Sequence, residues 1–184
     1  KKIMTEIKIE DNQLRLPNGN IITFNDEQYD GIKKIRKWLD SANGLNNIFT
    51  LAGNAGTGKS SIVKKILDEY EGNIVVSAPT HKAKKIIIKT TGQYGLTLHG
   101  LLGLRPDINL EDFNPNDPKF NPIALPRICD YSLVVIDEAS MINRELYDLI
   151  KKQTKGMHTK ILFMGDPAQI PPINEKNSAV FELE

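Results

Sequence analysis

The chain has 184 residues, of which 40% are hydrophobic and 26% charged, and its formal net charge is +1. This composition is typical of a globular protein, and the length predicts one domain with a full core. A net charge so close to zero gives no overall attraction to nucleic acid, so any basic surface must be local. The single cysteine excludes an internal disulfide. No apolar run approaches the roughly 20 residues of a membrane span, and no targeting signal is visible, which predicts a cytoplasmic, nucleoid or host-cytoplasmic protein without a membrane partner.

The N-terminal residues 1–24 alternate apolar and polar side chains around a turn signal at residues 17–20. This pattern predicts a small β-hairpin that decorates the main fold. Asn25 and Gln28 then have the spacing of a helix N-cap and its capping box, before an apolar stripe that predicts a helix ending near residues 43–44. Capping alone is enough to explain Gln28 at this point.

The decisive stretch, Gly-Asn-Ala-Gly-Thr-Gly-Lys-Ser at residues 53–60, lies between an apolar run and an amphipathic run. It has the G-x-x-x-x-G-K-[ST] pattern of a P-loop in the strand–loop–helix context that the pattern requires. The glycines allow successive backbone N–H groups to point at phosphate oxygens, and the following helix adds the positive end of its dipole. Lys59 is expected to reach the β- and γ-phosphates and Ser60 to bind Mg²⁺. The predicted nucleotide-binding residues of the loop are Gly53, Asn54, Ala55, Gly56, Thr57, Gly58, Lys59 and Ser60.

Two adjacent acids, Asp137 and Glu138, follow a buried apolar run at residues 132–136. Ligands bind at the carboxyl ends of the strands in open parallel sheets. Asp137 is therefore expected to hold Mg²⁺ through its water shell, and Glu138 to orient and deprotonate an attacking water. The alternative, a charge pair at a helix start, is disfavoured by the P-loop upstream. Gln169 follows another buried strand, where a γ-phosphate would lie, although a surface turn explains its position equally well.

A basic segment follows the apolar run at residues 73–78, and Thr80 is expected to cap its helix. The first turns of this helix carry His81, Lys82, Lys84 and Lys85. These charges oppose the helix dipole, and a nucleic-acid phosphate would offset that cost; a solvated lysine face explains them equally well. Thr97 has the position of a cap for a second, short helix, and His99 alone is better explained as a satisfied histidine at a helix end.

Apolar runs alternate with amphipathic runs through most of the chain. This alternation predicts an α/β P-loop NTPase fold with a mostly parallel sheet flanked by helices. Residues 103–127 are rich in proline and have no helical or strand period, which predicts an irregular insertion. The predicted organisation is therefore a hairpin extension at residues 1–24 and a P-loop ATPase domain at residues 25–184 that contains the insertion.

The combined motifs resemble the first RecA-like domain of a superfamily 1 helicase, and within that superfamily the RecD-like and phage Dda-like branch. The resemblance runs from about residue 24 to about residue 173. It is carried by Gln28, the P-loop, Ala-Pro-Thr-His-Lys-Ala-Lys at 78–84, Thr-Leu-His at 97–99, Asp-Glu-Ala-Ser at 137–140 and Gly-Asp-Pro-Ala-Gln at 165–169.

This resemblance implies roles for single residues. Gln28 would recognise the adenine edge, which makes ATP the nucleotide. Asp137 would be the Mg²⁺ carboxylate, Glu138 the catalytic base, and Gln169 a sensor of the γ-phosphate. The resemblance implies a single-strand-binding track made of Pro79, Thr80, His81, Thr97 and His99, to which we add the adjacent Lys82. For His99 the resemblance favours contact with nucleic acid over a role at the helix end, and it implies an accessory subdomain or strand-separating pin at residues 103–127.

The family continues beyond the equivalent of Gln169 into a second RecA-like domain that supplies arginines to the ATP site and half of the DNA track. We therefore expect the isolated chain, a monomer, to need that domain as a partner, and to hydrolyse ATP poorly without it. The leading hypothesis is the ATP-hydrolysing motor domain of a DNA helicase that moves 5′ to 3′ on single-stranded DNA. An RNA-directed superfamily 1 helicase, a non-motor ATP-gated single-strand-binding module and a P-loop kinase are the alternatives.

Overall fold

The computed structural model describes residues 8–41, 46–54, 56, 58–167 and 180. The described part contains a two-stranded hairpin, a five-stranded sheet and five α-helices. In chain order, the elements are β1 (Gln13–Arg15), β2 (Ile21–Thr23), α1 (Asp26–Leu39), β3 (Ile48–Ala52), α2 (Lys59–Glu69), β4 (Ile74–Ala78), α3 (His81–Thr91), β5 (Gly95–Thr97), α4 (Leu98–Leu102), β6 (Leu133–Ile136), α5 (Arg144–Thr154) and β7 (Lys160–Gly165). The predicted α/β fold is confirmed.

The larger sheet has the strand order β3-β7-β6-β4-β5, and all of its neighbouring strands are parallel. Its central strands are buried on both faces: Val134 and Ile136 pack into one core cluster, and Leu133 and Val135 into the other. This two-sided burial explains why the strands are continuous apolar runs. Because every strand points the same way, the P-loop after β3 and the acids after β6 meet at one edge of a RecA-like sheet.

The N-terminal hairpin covers the helices on one face of this sheet. Leu14 and Phe24 are buried in the cluster that contains Ile32 and Ile35 of α1. The antiparallel pairing of β1 with β2 confirms the predicted hairpin.

Arg36 joins the hairpin to two helices. Its guanidinium donates two hydrogen bonds of 2.9 Å to Asp11 of the hairpin, and bonds of 2.6 and 2.9 Å to Glu69 at the end of α2. Tyr29 of α1 also donates to the Asp11 carboxylate. Arg36 thus ties the hairpin, α1 and α2 together, and Tyr29 adds a second bond between α1 and Asp11.

Helix α1 begins as predicted and ends earlier than predicted. Asn25 and Gln28 form the reciprocal capping box. The helix ends at Leu39, whereas the sequence pattern placed its end near residues 43–44, which lie outside the described residues. The buried ammonium of Lys160, at the start of β7, donates to the carbonyl oxygens of Trp38, Leu39 (3.0 Å) and Ser41 (2.9 Å), and so takes up the last carbonyls of the helix.

Residues 103–127 contain neither α-helix nor strand, only 3₁₀ turns at Leu110–Asp112 and Pro118–Phe120. The two aromatic side chains of this insertion, Phe113 and Phe120, are buried with their ring centroids 5.4 Å apart. The side-chain amide of Asn143 donates to the carbonyl oxygens of Glu111 (3.2 Å) and Phe113 (3.0 Å). The insertion is therefore irregular in backbone and fixed to the core. None of the helices in the described part of the chain is long and apolar enough to cross a membrane.

Candidate nucleotide-binding site

A cavity of about 490 Å³ lies at the carboxyl edge of the sheet, and we call it the phosphate-side cavity. The P-loop lines it with Gly58, Lys59 and Ser60, and the segment after β6 lines it with Asp137 and Glu138. The structure thus brings together the two motifs that lie far apart in the sequence. They meet because β3 and β6 are both neighbours of β7 in the parallel sheet.

The P-loop has the backbone conformation that its glycines allow. Gly56 and Gly58 both have a φ of +82°, in the left-handed region that favours glycine. Gly58 is also the N-cap of α2, and no side chain caps this helix. The Lys59 ammonium donates to the carbonyl oxygens of Gly53 and Asn54, the latter at 3.0 Å. The lysine therefore lies over its own loop; Ala55 and Thr57, also predicted for the site, lie outside the described residues.

Asp137 is held by the backbone at the end of β6. Its N–H donates to the carbonyl oxygen of Ser77 at 2.9 Å, and its carboxylate accepts the N–H of Glu138 at 2.7 Å. Burial raises the pKa of Asp137, which the Glu138 N–H and the Lys59 charge partly oppose. An ionised carboxylate is an oxygen ligand of the kind that Mg²⁺ prefers.

Glu138 has a strained backbone. Its φ of 52° is the only positive φ of a non-glycine residue in the described part of the chain. Such residues are costly for the fold and cluster at functional sites. Burial, and then the charge of Asp137, raise the pKa of Glu138, while Lys82 lowers it. A carboxylate with a raised pKa is a better proton acceptor than an ordinary glutamate.

Gln28 lies against Gly58 of the P-loop. Its side-chain oxygen accepts the N–H of Asn25 at 2.9 Å, and its Nε2 lies so close to Gly58 that a Cβ on that glycine would be 2.5 Å away. A second cavity, of about 320 Å³, separates the first turns of α1 from the loop, and we call it the α1 cavity. Gly56 and Lys59 line both cavities, so the two cavities lie on either side of the same loop residues. Gln28 therefore both caps α1 and borders the nucleotide site.

The predicted nucleic-acid-binding residues come from two adjacent strand ends, since Ala78 of β4 pairs with Thr97 of β5. The Thr80 and Thr97 hydroxyls cap α3 and α4, accepting N–H groups at 3.2 and 3.1 Å. His99 Nε2 lies 2.7 Å from the carbonyl oxygen of Ile108, so this ring has a partner within the protein. Pro79 is buried, and the exposed members of the set are His81 and Lys82.

Among the residues that line the phosphate-side cavity, Asp166 and Ile86 were given no role from the sequence. Asp166 follows β7, and Ile86 lies on α3 with 53% of its surface exposed. Asp166 belongs to the Gly-Asp-Pro-Ala-Gln motif, so its position in the sequence was a usable signal, whereas Ile86 had none. Gln169, the predicted γ-phosphate sensor, lies outside the described residues.

The donor set at the phosphate-side cavity fits Mg²⁺, which prefers oxygen ligands and usually keeps several waters. The Ser60 hydroxyl and the Asp137 carboxylate both line the cavity. Within the described residues, no group of three or more His, Cys, Asp or Glu side chains could hold a metal by itself. An ion at this site would take its remaining ligands from water and phosphate.

The sequence matches a protein-family model described as an AAA domain over residues 41–175. The chain belongs to this family. Its fold and its relatives identify it as a RecA-like first domain of the superfamily 1 helicase type. The resemblance stated from the motifs is therefore confirmed.

Three relatives show how much of a larger protein this family member represents. A protein of Acanthamoeba polyphaga mimivirus is 35% identical over 86% of this chain and 35% of its own length. The ATP-dependent DNA helicase Dda of Enterobacteria phage T4 is 29% identical over 72% of this chain and 30% of its own length. The ATP-dependent RecD2 DNA helicase of Deinococcus radiodurans is 31% identical over 77% of this chain and 19% of its own length. The chain thus spans about a third or less of these relatives.

Two solved structures of Pif1 helicases likewise match most of this chain and about a third of their own. A Bacteroides Pif1 bound to single-stranded DNA matches 84% of this chain and 34% of its own, with a TM-score of 0.58 at 25% identity. A Bacteroides Pif1 helicase in complex with ADP-AlF3 and single-stranded DNA also matches 84% of this chain, with a TM-score of 0.54 at 26% identity.

Proposed function

We propose that this chain is the ATP-binding and hydrolysing motor domain of a helicase that translocates on single-stranded DNA in the 5′ to 3′ direction. One observation carries the proposal: the P-loop and the Asp137–Glu138 pair line one cavity at the carboxyl edge of a parallel sheet. The names of the related proteins, two of them ATP-dependent DNA helicases, support ATP as the nucleotide and DNA as the track.

The P-loop and its helix bind the phosphates of ATP in this proposal. The N–H groups at the start of α2 point at phosphate oxygens, because no side chain caps that helix. Lys59 exchanges its two loop carbonyls for the β- and γ-phosphates, a short movement of a flexible side chain. Ser60 and Asp137 would hold Mg²⁺, which neutralises charge on the β- and γ-phosphates when bound.

Glu138 acts as the general base. It orients a water against the γ-phosphorus and takes a proton from that water as the new P–O bond forms and the bond to the bridging oxygen breaks. The raised pKa of Glu138, caused first by burial, makes its carboxylate a stronger base. Gln169 would respond to loss of the γ-phosphate, and Gln28 would hold the adenine edge.

Single-stranded DNA contacts the adjacent ends of β4 and β5. His81 and Lys82 are exposed at the start of α3 and supply the charge for a phosphate. The wall of the track is formed by side chains that are hydrogen-bonded within the protein, namely Thr80, Thr97 and His99. Pro79 ends the strand that leads into the track, and the insertion at residues 103–127, whose Leu125 is 88% exposed, is proposed as an accessory element at its side.

A second motor domain is proposed to complete the ATP site, since the relatives are about three times as long as the part that this chain matches. In related phosphoryl-transfer enzymes, an arginine supplied to the γ-phosphate contributes about 10³–10⁵ in turnover. The chain by itself is therefore expected to bind ATP and to hydrolyse it slowly.

The test is the ATPase rate of the full-length protein, with and without single-stranded DNA and with matched RNA. We expect strong stimulation by DNA and a loss of about 10²–10³-fold in turnover for Lys59→Ala, because a phosphate-stabilising cation is removed. Lys34→Ala, which removes an exposed lysine of α1 that pairs with Asp30, is the matched control. An ATPase rate that neither single-stranded DNA nor RNA changes would refute the helicase assignment. Stimulation by RNA alone would mean that the protein translocates on RNA and not on DNA.

A further inference from the structure

Helix α3 differs from the other long helices in its charge. It contains four lysines and no acid, whereas α1, α2 and α5 each combine basic residues with acids. In α1 and α2, a lysine pairs with an acid one turn away: Lys34 with Asp30, and Lys64 with Asp68. No salt bridge within the described residues involves a lysine of α3. The positive charge of this helix is therefore not balanced by acids of its own.

Three of these lysines share the outer face of α3, and we call them the lysine stripe: Lys82, Lys85 and Lys89. All three are exposed. The buried residues of the helix are Ala83, Ile87 and Thr91. With about 3.6 residues per turn, the stripe positions fall within about 60° of one another, on the side opposite to the buried residues. The stripe is about 10 Å long, because each residue adds about 1.5 Å to a helix.

The fold itself does not account for Lys85 and Lys89. In the part of the chain that the structure describes, neither ammonium group has a hydrogen bond or a salt bridge. Lys160, by contrast, is buried and donates to the last carbonyls of α1. The first turn of α3 has no acid, and a basic residue there, such as Lys82, opposes the helix dipole. An anion bound along the outer face would offset this cost and give the ammonium groups a partner.

The stripe begins at the proposed single-strand track and leads away from it. Lys82 is exposed beside His81, where the end of β4 leads into α3. From there α3 returns to the start of β5, which is parallel to β4, so the stripe runs away from the carboxyl edge of the sheet. Lys89 therefore lies outside the track, and a ligand of the whole stripe must extend beyond that edge.

The chemistry of the stripe suits duplex DNA. Sites for single strands usually combine basic residues with aromatic side chains on which the bases stack. Helix α3 contains no aromatic residue, so the stripe can contact phosphates but offers no surface for stacking. A duplex keeps its bases paired inside and carries about one negative charge per 1.7 Å of its axis. A row of lysines is therefore sufficient to bind it.

We propose that the lysine stripe binds the phosphate backbone of duplex DNA outside the single-strand track. The inference rests on the proposed function, because it takes DNA as the substrate, and it adds Lys85 and Lys89 to the contacts. The contact is independent of base sequence, since phosphates are common to every sequence. Because the stripe starts beside the track, one molecule can hold a single strand and the adjoining duplex together.

The experiment compares wild type with Lys85→Gln/Lys89→Gln in the full-length protein. Fluorescence anisotropy measures the Kd for a blunt duplex and for a single strand of the same length, each over a range of salt concentrations. We expect the duplex Kd to rise at least about tenfold, and the slope of log Kd against log salt to fall by about 2, because two phosphate contacts are lost. The single-strand Kd should change by less than about threefold, since the track retains His81 and Lys82.

The matched control is Lys33→Gln/Lys37→Gln on α1. It removes two exposed lysines with the same spacing and therefore changes the net charge by the same amount. The duplex Kd of this variant should equal that of wild type. An equal loss of duplex binding in the control would overturn the inference, because the total charge would then determine the affinity. Thermal unfolding of both variants shows whether they are folded.

Two further results would also overturn the inference. A wild-type duplex Kd in the stripe variant would mean that the stripe is a solvated lysine face. Equal losses of duplex and single-strand binding would mean that the stripe extends the single-strand track and does not select the duplex.

Failure of the proposed function has a different readout, which is the ATPase rate of wild type with single-stranded DNA. If single strands stimulate that rate, the proposed function stands even when the stripe variant binds the duplex as wild type does. If no single strand changes the rate, the proposed function fails. A selective loss of duplex binding in the stripe variant would still support the stripe as a duplex-binding surface in that case.

Discussion

The two helices that border the nucleotide site begin in opposite ways. Helix α1 starts with a complete capping box: Asn25 accepts the Gln28 N–H at 2.8 Å, and Gln28 accepts the Asn25 N–H at 2.9 Å. Helix α2, whose N-cap is Gly58, has no side-chain cap, whereas the other α-helices of the described residues all have one. The first turn of a helix leaves four N–H groups without helical partners. Helix α1 satisfies its start from its own sequence, and α2 leaves its start to the phosphate of the proposed nucleotide.

The surroundings of the two helices extend this difference. Around α1, Arg36 is bonded to Asp11 and Glu69, and Lys160 takes up the last carbonyls of the helix. Beside the start of α2, by contrast, the fold holds Glu138 in a left-handed conformation with a raised pKa. The polar groups around α1 are hydrogen-bonded within the protein, whereas the start of α2 has no side-chain cap and can accept a ligand. Substitutions around α1 should therefore reduce stability, and substitutions at the P-loop side should reduce catalysis.

The largest effect is expected for Glu138→Gln. Removal of a general base typically lowers turnover by about 10²–10⁴-fold. Stability at neutral pH should be unchanged or higher, because a carboxylate whose folded pKa is raised disfavours the folded state at neutral pH, and glutamine carries no charge. Steady-state ATPase rates and urea unfolding of the full-length protein measure the two quantities. A large loss of stability, or turnover within tenfold of wild type, would contradict the assignment of Glu138 to the reactive region.

Lys160→Met should have the largest effect on stability. The Lys160 ammonium donates to three backbone carbonyls, and the residue is 5% exposed. Methionine keeps the apolar stem but leaves these carbonyls without a donor, which should lower the free energy of unfolding by about 2–3 kcal/mol. Lys155→Met, at an exposed position before β7, is the matched control. If both variants unfold at the same urea concentration as wild type, Lys160 does not hold the end of α1.

A smaller loss is expected for Asn25→Ala, which removes the cap of α1. N-cap substitutions of this kind cost about 1 kcal/mol. Asn25→Asp should retain the stability, because aspartate caps a helix start equally well. Urea unfolding curves of the three proteins separate these outcomes. A loss in the aspartate variant as large as in the alanine variant would show that the capping bond is not what matters at this position.

The sequence was sufficient to predict the parts of the site that are contiguous. The P-loop at residues 53–60 and the pair Asp137–Glu138 each carry their chemistry in adjacent residues, and a parallel sheet brings strand ends to one edge. The opposite case is the end of α1. It depends on Lys160, which is 122 residues beyond Trp38 in the sequence, and no local pattern predicts that contact.

The insertion shows which buried residues a local sequence pattern does not predict. Phe113 and Phe120 have no periodic neighbours in the sequence, yet they pair and are buried, because Asn143 and the core hold the irregular backbone around them. Periodic patterns in a sequence predict which residues are buried in helices and strands, but they do not predict burial in an irregular segment.

The smallest effect is expected for Asp11→Asn, which tests the tie between the hairpin and α1. Arg36, and then the Tyr29 hydroxyl, hold the pKa of Asp11 well below its usual 3.8. The Asp11 side chain is 55% exposed, so solvent screens the pair and the loss at pH 7 should be less than about 1 kcal/mol. Asp30→Asn, which breaks an ion pair within α1 alone, is the matched control and should lose less.

The pH dependence sharpens this last test. A carboxylate with a lowered folded pKa stabilises the protein above its unfolded pKa, and this contribution is lost as the pH falls through the folded pKa. The difference in unfolding free energy between wild type and Asp11→Asn should therefore be constant from pH 8 to about pH 5 and should decrease below about pH 3.8. Urea unfolding at pH 7, 5 and 3 measures it. A difference that stays constant down to pH 3 would mean that the charge of Asp11 does not join the hairpin to α1, and that apolar packing, including the burial of Leu14 and Phe24, holds the hairpin instead.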